Sequence, residues 1–384
     1  MKLNNNYIKF ILLIFILCGT NFLLARQLED ILSEILENNQ ELKAISAMNK
    51  LEILNAKNEL LPENPALEQE FHENDNYEIG ITQSFQFPTF YYHQYKNLQM
   101  TKAQQEAIYK ATKVRILEEA KINLYSLNYL LNQIRIQKKR LEDANQLTSH
   151  FEKLLTQGEI TQLELNQAKI HQVSYDNSLR DLLIQKAEVS ETLKMLNGGI
   201  EVESHVIQYQ EPTLEIESLK EDFLQNNPDL AIETINQQIA ARNTKIAKYE
   251  WLPYFRIGVH KGKESDPMLH YGISIPLWKN RNRIKRAKAV QLYNNANLEY
   301  TTQSVASEFN KLASEYKLLQ QKLQQNLKLH LNSHELLEKS LEVGEISSIE
   351  YFTEIENLYE FEDHISKTNL DLEIVKVKLT SFKF

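Results

Sequence analysis

Three histidines offer the clearest ligand chemistry in this chain. His72, His260 and His270 fall on the polar positions of alternating stretches, each close to turn-forming residues. Imidazoles gathered at one level would engage borderline metal cations and change charge near neutral pH. Polar lining of a water-filled passage accounts for the same residues without any metal. His330 and His334 have the i, i+4 spacing that sets two ligands on one helical face, but no acidic motif accompanies them. Glu164 and Glu350 each stand six residues after the glycine of a repeated Gly-Glu-Ile sequence, early in a helix, where the dipole favours a carboxylate. No nucleophile, base and orienting group stand at meaningful spacing, and there is no Gly-rich phosphate loop. The chain reads as a non-enzyme, with no cofactor and no structural metal expected.

Composition indicates what must hold these residues. The chain has 384 residues with only 9 Gly and 8 Pro, and a quarter of it is charged, so long helices are expected and loop-rich folds are not. Mean hydropathy of -0.46 is too polar for a bundle of membrane helices. The abundance of Leu, Ile and Tyr is too great for a disordered chain. With 43 basic against 52 acidic residues the net charge is -9, which argues against nucleic acid as the partner.

The first residues carry Lys2 and Lys9, the apolar run Phe10 to Leu17, and then Ala25 before the polar Arg26-Gln27. This is the order of a secretory signal peptide, expected over residues 1–25. The one cysteine, Cys18, lies inside the apolar run behind bulky Phe15-Ile16-Leu17, which disfavours lipid attachment. Cleavage then leaves no cysteine, and so neither disulfides nor thiolate metal sites.

The remainder is written twice. Asn38-Asn39-Gln40-Glu41-Leu42 returns as Asn226-Asn227-Pro228-Asp229-Leu230, 188 positions later. Leu61-Pro62 returns as Leu252-Pro253, Pro88 as Pro276, and Gly158-Glu159-Ile160 as Gly344-Glu345-Ile346, in the same order and at nearly the same offset. This pattern predicts a tandem duplication, with repeats over 26–199 and 200–384. Leu28 to Leu61 has the three-four spacing of a helix, stopped by Pro62 and Pro65. The period then becomes two. Tyr77, Ile79, Ile81, Phe85 and Phe87 form one face, and Glu78, Gly80, Thr82, Ser84 and Gln86 the other.

Strands are predicted over about 66–73 and 77–87, joined through Asn74-Asp75-Asn76, and in the second copy over about 254–261 and 268–277. After each hairpin comes a proline-free stretch with helical spacing, from about Phe90 to Thr156 and from about Asn280 to Val343. About 65 residues at 1.5 Å each span roughly 100 Å. Each rod ends at its Gly-Glu-Ile turn, and a shorter helix returns, Gln162 to Leu196 and Ser348 to Phe382. The ending Leu370 to Phe384 reads as helix, so the terminal Phe384 is not taken as a barrel strand signal.

Four strands with an aromatic-bearing apolar face, on an exported chain, resemble part of a transmembrane β-barrel. An open sheet cannot stand in lipid with unsatisfied edges, and four strands are too few to close, so the chain must oligomerise. A dimer would give eight strands filled by their own side chains; a trimer gives twelve and leaves a lumen. A soluble sandwich on a coiled coil is the other reading of the same pattern.

The order of elements resembles the TolC family of outer-membrane efflux proteins over nearly the whole mature chain. The segments that carry the resemblance are Asn38 to Leu42, Asn226 to Leu230, the Leu-Pro strand entrances and the turn Val343-Gly344-Glu345-Ile346-Ser347. Gly-Ile-Ser-Ile-Pro-Leu at 272 to 277, followed by Asn280-Arg281-Asn282-Arg283, is similar to the heavy-metal-efflux branch typified by CusC and CzcC.

The resemblance implies a mainly α fold with a β-barrel portion: a homotrimer whose twelve strands form an outer-membrane barrel, in contact with lipid, that continues as a periplasmic α-barrel. It implies a passive exit duct in a Gram-negative-type bacterium, conducting metal cations, fed by an inner-membrane pump of the resistance-nodulation-division class through a periplasmic adaptor (membrane fusion protein). A drug or protein export duct is the alternative within transport, and a non-pore periplasmic coiled-coil adaptor the alternative outside it. Against the adaptor stand two widely separated hairpins in place of one helical hairpin between β-domains.

In this family the helical turns contact adaptor tips, which here implies Leu155, Gly158, Val343, Gly344 and Ser347. Acidic residues six and nine positions after the turn glycine narrow the periplasmic entrance in relatives. Here those positions give Glu350 and then Thr353, and in the first copy Glu164 and then Gln167, so the implied carboxylate ring is Glu350 with Glu164. The Tyr and Arg partners of that constriction are replaced by Leu341 and Ile346. In the trimer, His72, His260 and His270 would line the outer pore mouth.

Overall fold

In a computed structural model the described residues are 28–71, 77–202, 213–263, 265–276, 278, 282–330, 333–343, 345–346 and 348–384. The signal-peptide expectation, His72, the turn 74–76, Gly344 and Ser347 lie outside them.

The element order is α1 (28–38), α2 (Gln40–Asn58), β1 (Ala66–Phe71), β2 (Tyr77–Phe85), α3 (Pro88–Gln157), α4 (Gln162–Leu196), α5 (Ile216–Gln225), α6 (Pro228–Tyr249), β3 (Tyr254–Gly262), β4 (Met268–Ser274), α7 (Arg283–His330), α8 (Ser333–Glu342) and α9 (Ser348–Thr380), closed by a 3₁₀ turn at Ser381–Lys383. Helix, two strands, long helix and returning helix therefore occur twice. Pro88 opens α3 at the first helical position, where its missing N–H costs nothing. This ends β2 at Phe85, two residues short of the expected Phe87.

One expectation about helices is corrected. The stretch 28–61 is two helices and not one, because the backbone breaks at Asn39. The second rod is described as α7 and α8, on either side of residues 331–332, which lie outside the described residues.

The chain forms two compact units, and each draws on both halves of the sequence. The first contains the described residues up to Gln40, Lys113–Phe223 and Phe309–Phe384. Its core takes the stripe Ile116, Ala120, Leu124, Leu127 and Ile134 of α3 with Leu193 of α4 and Val377 and Leu379 of α9, all buried. Phe223 packs against Phe309 and Phe382 at ring distances of 5.2 and 5.9 Å. The terminal Phe384 packs against the cluster of Tyr125, Leu370 and Val377, and Lys121 lies 4.4 Å from its ring.

A polar lock in this unit explains the Asn38-Asn39 motif. Asn39 Nδ2 donates to the carbonyl of Leu196 at 2.8 Å, and Asn38 Nδ2 donates to Asn197 Oδ1 at 3.0 Å. Asn197, almost fully buried, donates onward to Glu34 and to the carbonyl of Ile200. α4 ends there in a Schellman turn, with Gly198 N–H on Met195 O and Gly199 N–H on Lys194 O, both glycines at positive φ. The matching Asn227 plays a different part, in which its Oδ1 accepts from the N–H groups of Asp229 and Leu230 as the N-cap of α6.

The second unit, Glu41–Thr112 with Leu224–Glu308, holds the sheet. Its strands run in the order β1-β2-β3-β4, antiparallel throughout, so the two hairpins join through β2 and β3. Leu67 faces Ile81, which faces Val259, which faces Leu269. Phe71 with Tyr77, Phe85 with Phe255 and Ile273, and Ile257 with Tyr271 complete the same side. Among the described residues β1 and β4 are each paired on one side only.

Candidate functional site

The sheet is inverted relative to a water-soluble one. Its apolar side is the exposed side: Ile81 is 59% exposed and Tyr271 87%, while the neighbouring polar Thr82 is 5% and His260 6% exposed. Hydrophobic side chains turned outward with polar ones turned inward are the pattern of a lipid-facing barrel wall. In a soluble sheet the same alternation runs the other way.

On the polar side, register brings four strands to one place. Thr82 Oγ1 donates to Glu68 Oε2 at 3.0 Å and lies 3.3 Å from His260 Nε2. The Thr82 hydroxyl has a single hydrogen, committed to Glu68, so it accepts from His260, whose Nε2 therefore carries the proton. The His260 ring lies across Gly80, the residue paired with it on β2; a Cβ at Gly80 would come within 2.4 Å of that ring. On the other side His260 stacks on His270 of β4, with ring centroids 4.3 Å apart. Of the three expected mouth histidines, the structure thus brings two together. Sequence reasoning missed their acidic neighbours Glu68 and Glu78, because only strand register shows which carboxylates share the spot.

The end of α3 is the second candidate region. Gly158 has φ +75° and donates to Leu155 O, and Glu159 N–H reaches Leu154 O, a second Schellman turn. Nothing approaches the place where a Cβ of Gly158 would stand, so glycine is there for its conformation and not for close packing. Leu154, Leu155 and Ile160 pack on the cluster of Phe151, Leu165 and Ala168. Thr161 then opens α4 with a capping box: its Oγ1 accepts from Glu164 N–H, and Glu164 Oε2 accepts from Thr161 N–H at 2.6 Å. In the second copy Glu345 N–H reaches Ser340 O at 2.9 Å, Val343 is exposed, and Glu350 is exposed in the first turn of α9.

The Glu164 carboxylate is thereby tied to its own helix end. The hydrogen bond from the Thr161 backbone, and after it the one from the Thr161 hydroxyl, hold its pKa below the usual 4.5. A lowered folded-state pKa contributes stability in full above the ordinary carboxylate value, and this is lost as pH falls through the lowered one. Hydrogen exchange should therefore show slower exchange at 161–165 in wild type than in Glu164→Gln above pH 4.5, with the gap closing on further acidification. Thr161→Ala should speed exchange there by about fivefold, as typical loss of a threonine cap does. A gap that does not depend on pH would remove the carboxylate from the cap.

Behind this turn, within the first unit, lies a cavity of about 530 Å³ lined by residues of α3, α4 and α9, among them Glu164, Gln167, Tyr351 and Thr353. Arg140, 6% exposed, reaches from α3 to Asp363 Oδ2 at 2.8 Å, to Glu362 at 3.4 Å and over the ring of Tyr359. His171 of α4 contacts the carboxylate of Glu356 on α9. Tyr175 has its pKa pushed up, first by burial and then by the nearby Glu356. None of these was singled out from sequence, although an arginine between Ile134 and Ala144 on the apolar stripe of α3 is a visible signal of a buried charge.

Comparison with known proteins gives a consistent fold. No family model matches the sequence, and no curated protein matches it by sequence. Among solved structures, CusC, described as forming a transmembrane channel, is 16% identical over 93% of this chain and 92% of that one, with a TM-score of 0.77. The CmeC outer membrane channel of Campylobacter jejuni is 14% identical over 92% of this chain and 85% of that one, at 0.73. The open state of the MtrE outer membrane channel of Neisseria gonorrhoeae is 13% identical over 92% and 88%, at 0.74. The chain has the fold of these channels.

Proposed function

We infer that the protein is the outer-membrane duct of a tripartite efflux system: a passive exit channel, not an enzyme, which conducts metal cations delivered by an inner-membrane pump through a periplasmic adaptor. The observation that carries this reading is the inverted sheet with two open edges. Among the described residues no helix is long and apolar enough to cross a membrane. The exposed apolar face of the sheet is a surface suited to lipid. Its edges must pair, because bare N–H and C=O groups are not tolerated in hydrocarbon.

Four antiparallel strands per chain give β1 and β4 opposite directions. In a head-to-tail ring β4 of one copy meets β1 of the next in antiparallel register, and three copies supply twelve strands, enough to leave a lumen. The likeness to outer-membrane channels supports the same assembly. The helical turns around Leu155, Gly158, Val343, Gly344 and Ser347 form the adaptor-facing end in this reading, and Glu350 with Glu164 supplies carboxylates at the entrance. A carboxylate ring favours cations over anions and neutral drugs.

The test is reconstitution of the purified protein into lipid bilayers. Trimer-sized particles with cation-selective conductance are expected, and Glu350→Gln should lower the cation-to-anion permeability ratio. A water-soluble monomer with no conductance would overturn the duct. An unchanged ratio in Glu350→Gln would take that residue out of the entrance.

A further inference from the structure

We propose that Glu78, His260 and His270 form a binding site for one divalent transition-metal ion of the Zn²⁺, Co²⁺ or Cu²⁺ type on the polar side of the sheet. The three residues come from β2, β3 and β4, and one ligand atom from each lies within 4.8 Å of the others. Among the described residues this is the one group of three such donors that converges. Ligands around a zinc ion at about 2.0–2.1 Å stand roughly 3.4 Å apart, so the donors must close by up to about 1.4 Å. Half-buried Glu78 and exposed His270, the latter on an edge strand, have the side-chain freedom to do so, while His260 is held.

The way His260 is held favours this use. Its Nε2–H points to Thr82 Oγ1, which passes its own hydrogen to Glu68 Oε2. The lone pair of the ring is thereby left on Nδ1. A chain of imidazole, hydroxyl and carboxylate behind a ligating histidine fixes its tautomer and ring orientation, and loss of such support commonly costs 10 to 100-fold in metal affinity. Gly80 serves the same end, since a side chain there would drive the ring off its seat. Two imidazoles and one carboxylate make a borderline donor set that suits Zn²⁺, Co²⁺ or Cu²⁺ and is poor for Mg²⁺ or Ca²⁺. With three protein ligands, a coordination position stays open to water, which makes for exchange and not for permanent retention. The site departs from the expectation of no metal in this narrower sense: the ion is a visitor and not a part of the fold.

Binding is a property of the single chain. Only the corollary that the ion sits in the lumen rests on the duct reading. The experiment is calorimetric titration of the full chain, purified with a histidine-free tag, with ZnCl₂, followed by Co²⁺ titration read by visible absorption. One high-affinity Zn²⁺ per chain is expected, with Co²⁺ bands of low coordination number that Zn²⁺ abolishes. The double variant His260→Ala/His270→Ala should lose the site, Glu78→Gln should weaken it at least about tenfold, and Thr82→Val should weaken it by about tenfold through the supporting chain.

Circular dichroism and particle size establish that the variants fold. If His260→Ala/His270→Ala does not, His270→Asn at the exposed position serves instead. Wild-type affinity in a folded variant lacking either histidine, or fewer than one ion per chain in the wild type, would overturn the proposal. Conductance without such binding would overturn the site and leave the duct, whereas binding without conductance would do the reverse.

Discussion

Replacement of Ile81 by Lys is expected to abolish the membrane-inserted trimer proposed above, while Ile81→Leu leaves it intact. Ile81 sits mid-strand on the exposed apolar side, opposite Leu67 on one neighbour and Val259 on the other. A lysine at bilayer mid-depth costs about 2–4 kcal/mol per copy, and a ring of three copies meets that cost three times in one assembly. The chain itself carries Lys261 on this same side, paired with Ile79, but near the end of β3, where a long side chain can reach the headgroup region. The contrast between Ile81→Lys and native Lys261 thus separates depth from charge. Trimer yield in the membrane fraction should fall by roughly tenfold or more. If the sheet faced water, the same substitution would raise solubility and leave assembly unchanged, and that result would sink the lipid-facing assignment.

Gly198→Ala is expected to destabilise the first unit far more than Gly199→Ala. Both glycines have positive φ, +67° and +93°, so an alanine at either pays about 1–2 kcal/mol for the left-handed backbone. At Gly199 nothing lies within 4 Å of the added carbon, and the cost ends there. At Gly198 the carbon would stand 2.4 Å from the backbone oxygen of Asn38, which cannot swing away as a side chain can. Relief requires moving the α1–α2 junction off α4. This would break the bonds from Asn39 to Leu196 O and from Asn38 to Asn197 and leave the buried Asn197 amide short of partners. Denaturant unfolding should show Gly198→Ala losing several times the stability lost by Gly199→Ala. Equal losses would mean that the asparagine lock carries no weight.

What could be read from the sequence follows from the range of each signal. The strands were legible because alternation is local, and their apolar positions, Ile79 and Ile81 or Ile257 and Val259, are those the structure leaves exposed. The turn between α3 and α4 was legible for the same reason, since Gly158 acts within one turn of where it stands. The break at Asn39 was hidden because apolar spacing continues through it, and the motif there could serve as a landmark without revealing what its side chains bind. Their partners lie on α4, about 160 residues later in the chain. A longer separation, 223 residues, concealed Arg140 and Asp363, whose meeting depends on how α3 and α9 pack. His260 and His270 were placed on one face by counting in twos, yet Glu78 joins them only because β2 registers against β3 with Glu78 opposite Gly262.

The exposed apolar face and the two open edges also bear on the life of the newly made chain. A surface suited to hydrocarbon is a liability while it is still in water, and each free edge invites pairing with any strand it meets. In the proposed assembly, closure of the ring is the step that removes the hazard. Before it, each copy would expose both hazards to water at once. In the proposed duct, the time each copy spends before closure then bears on the yield of channels as directly as the strength of the finished wall does.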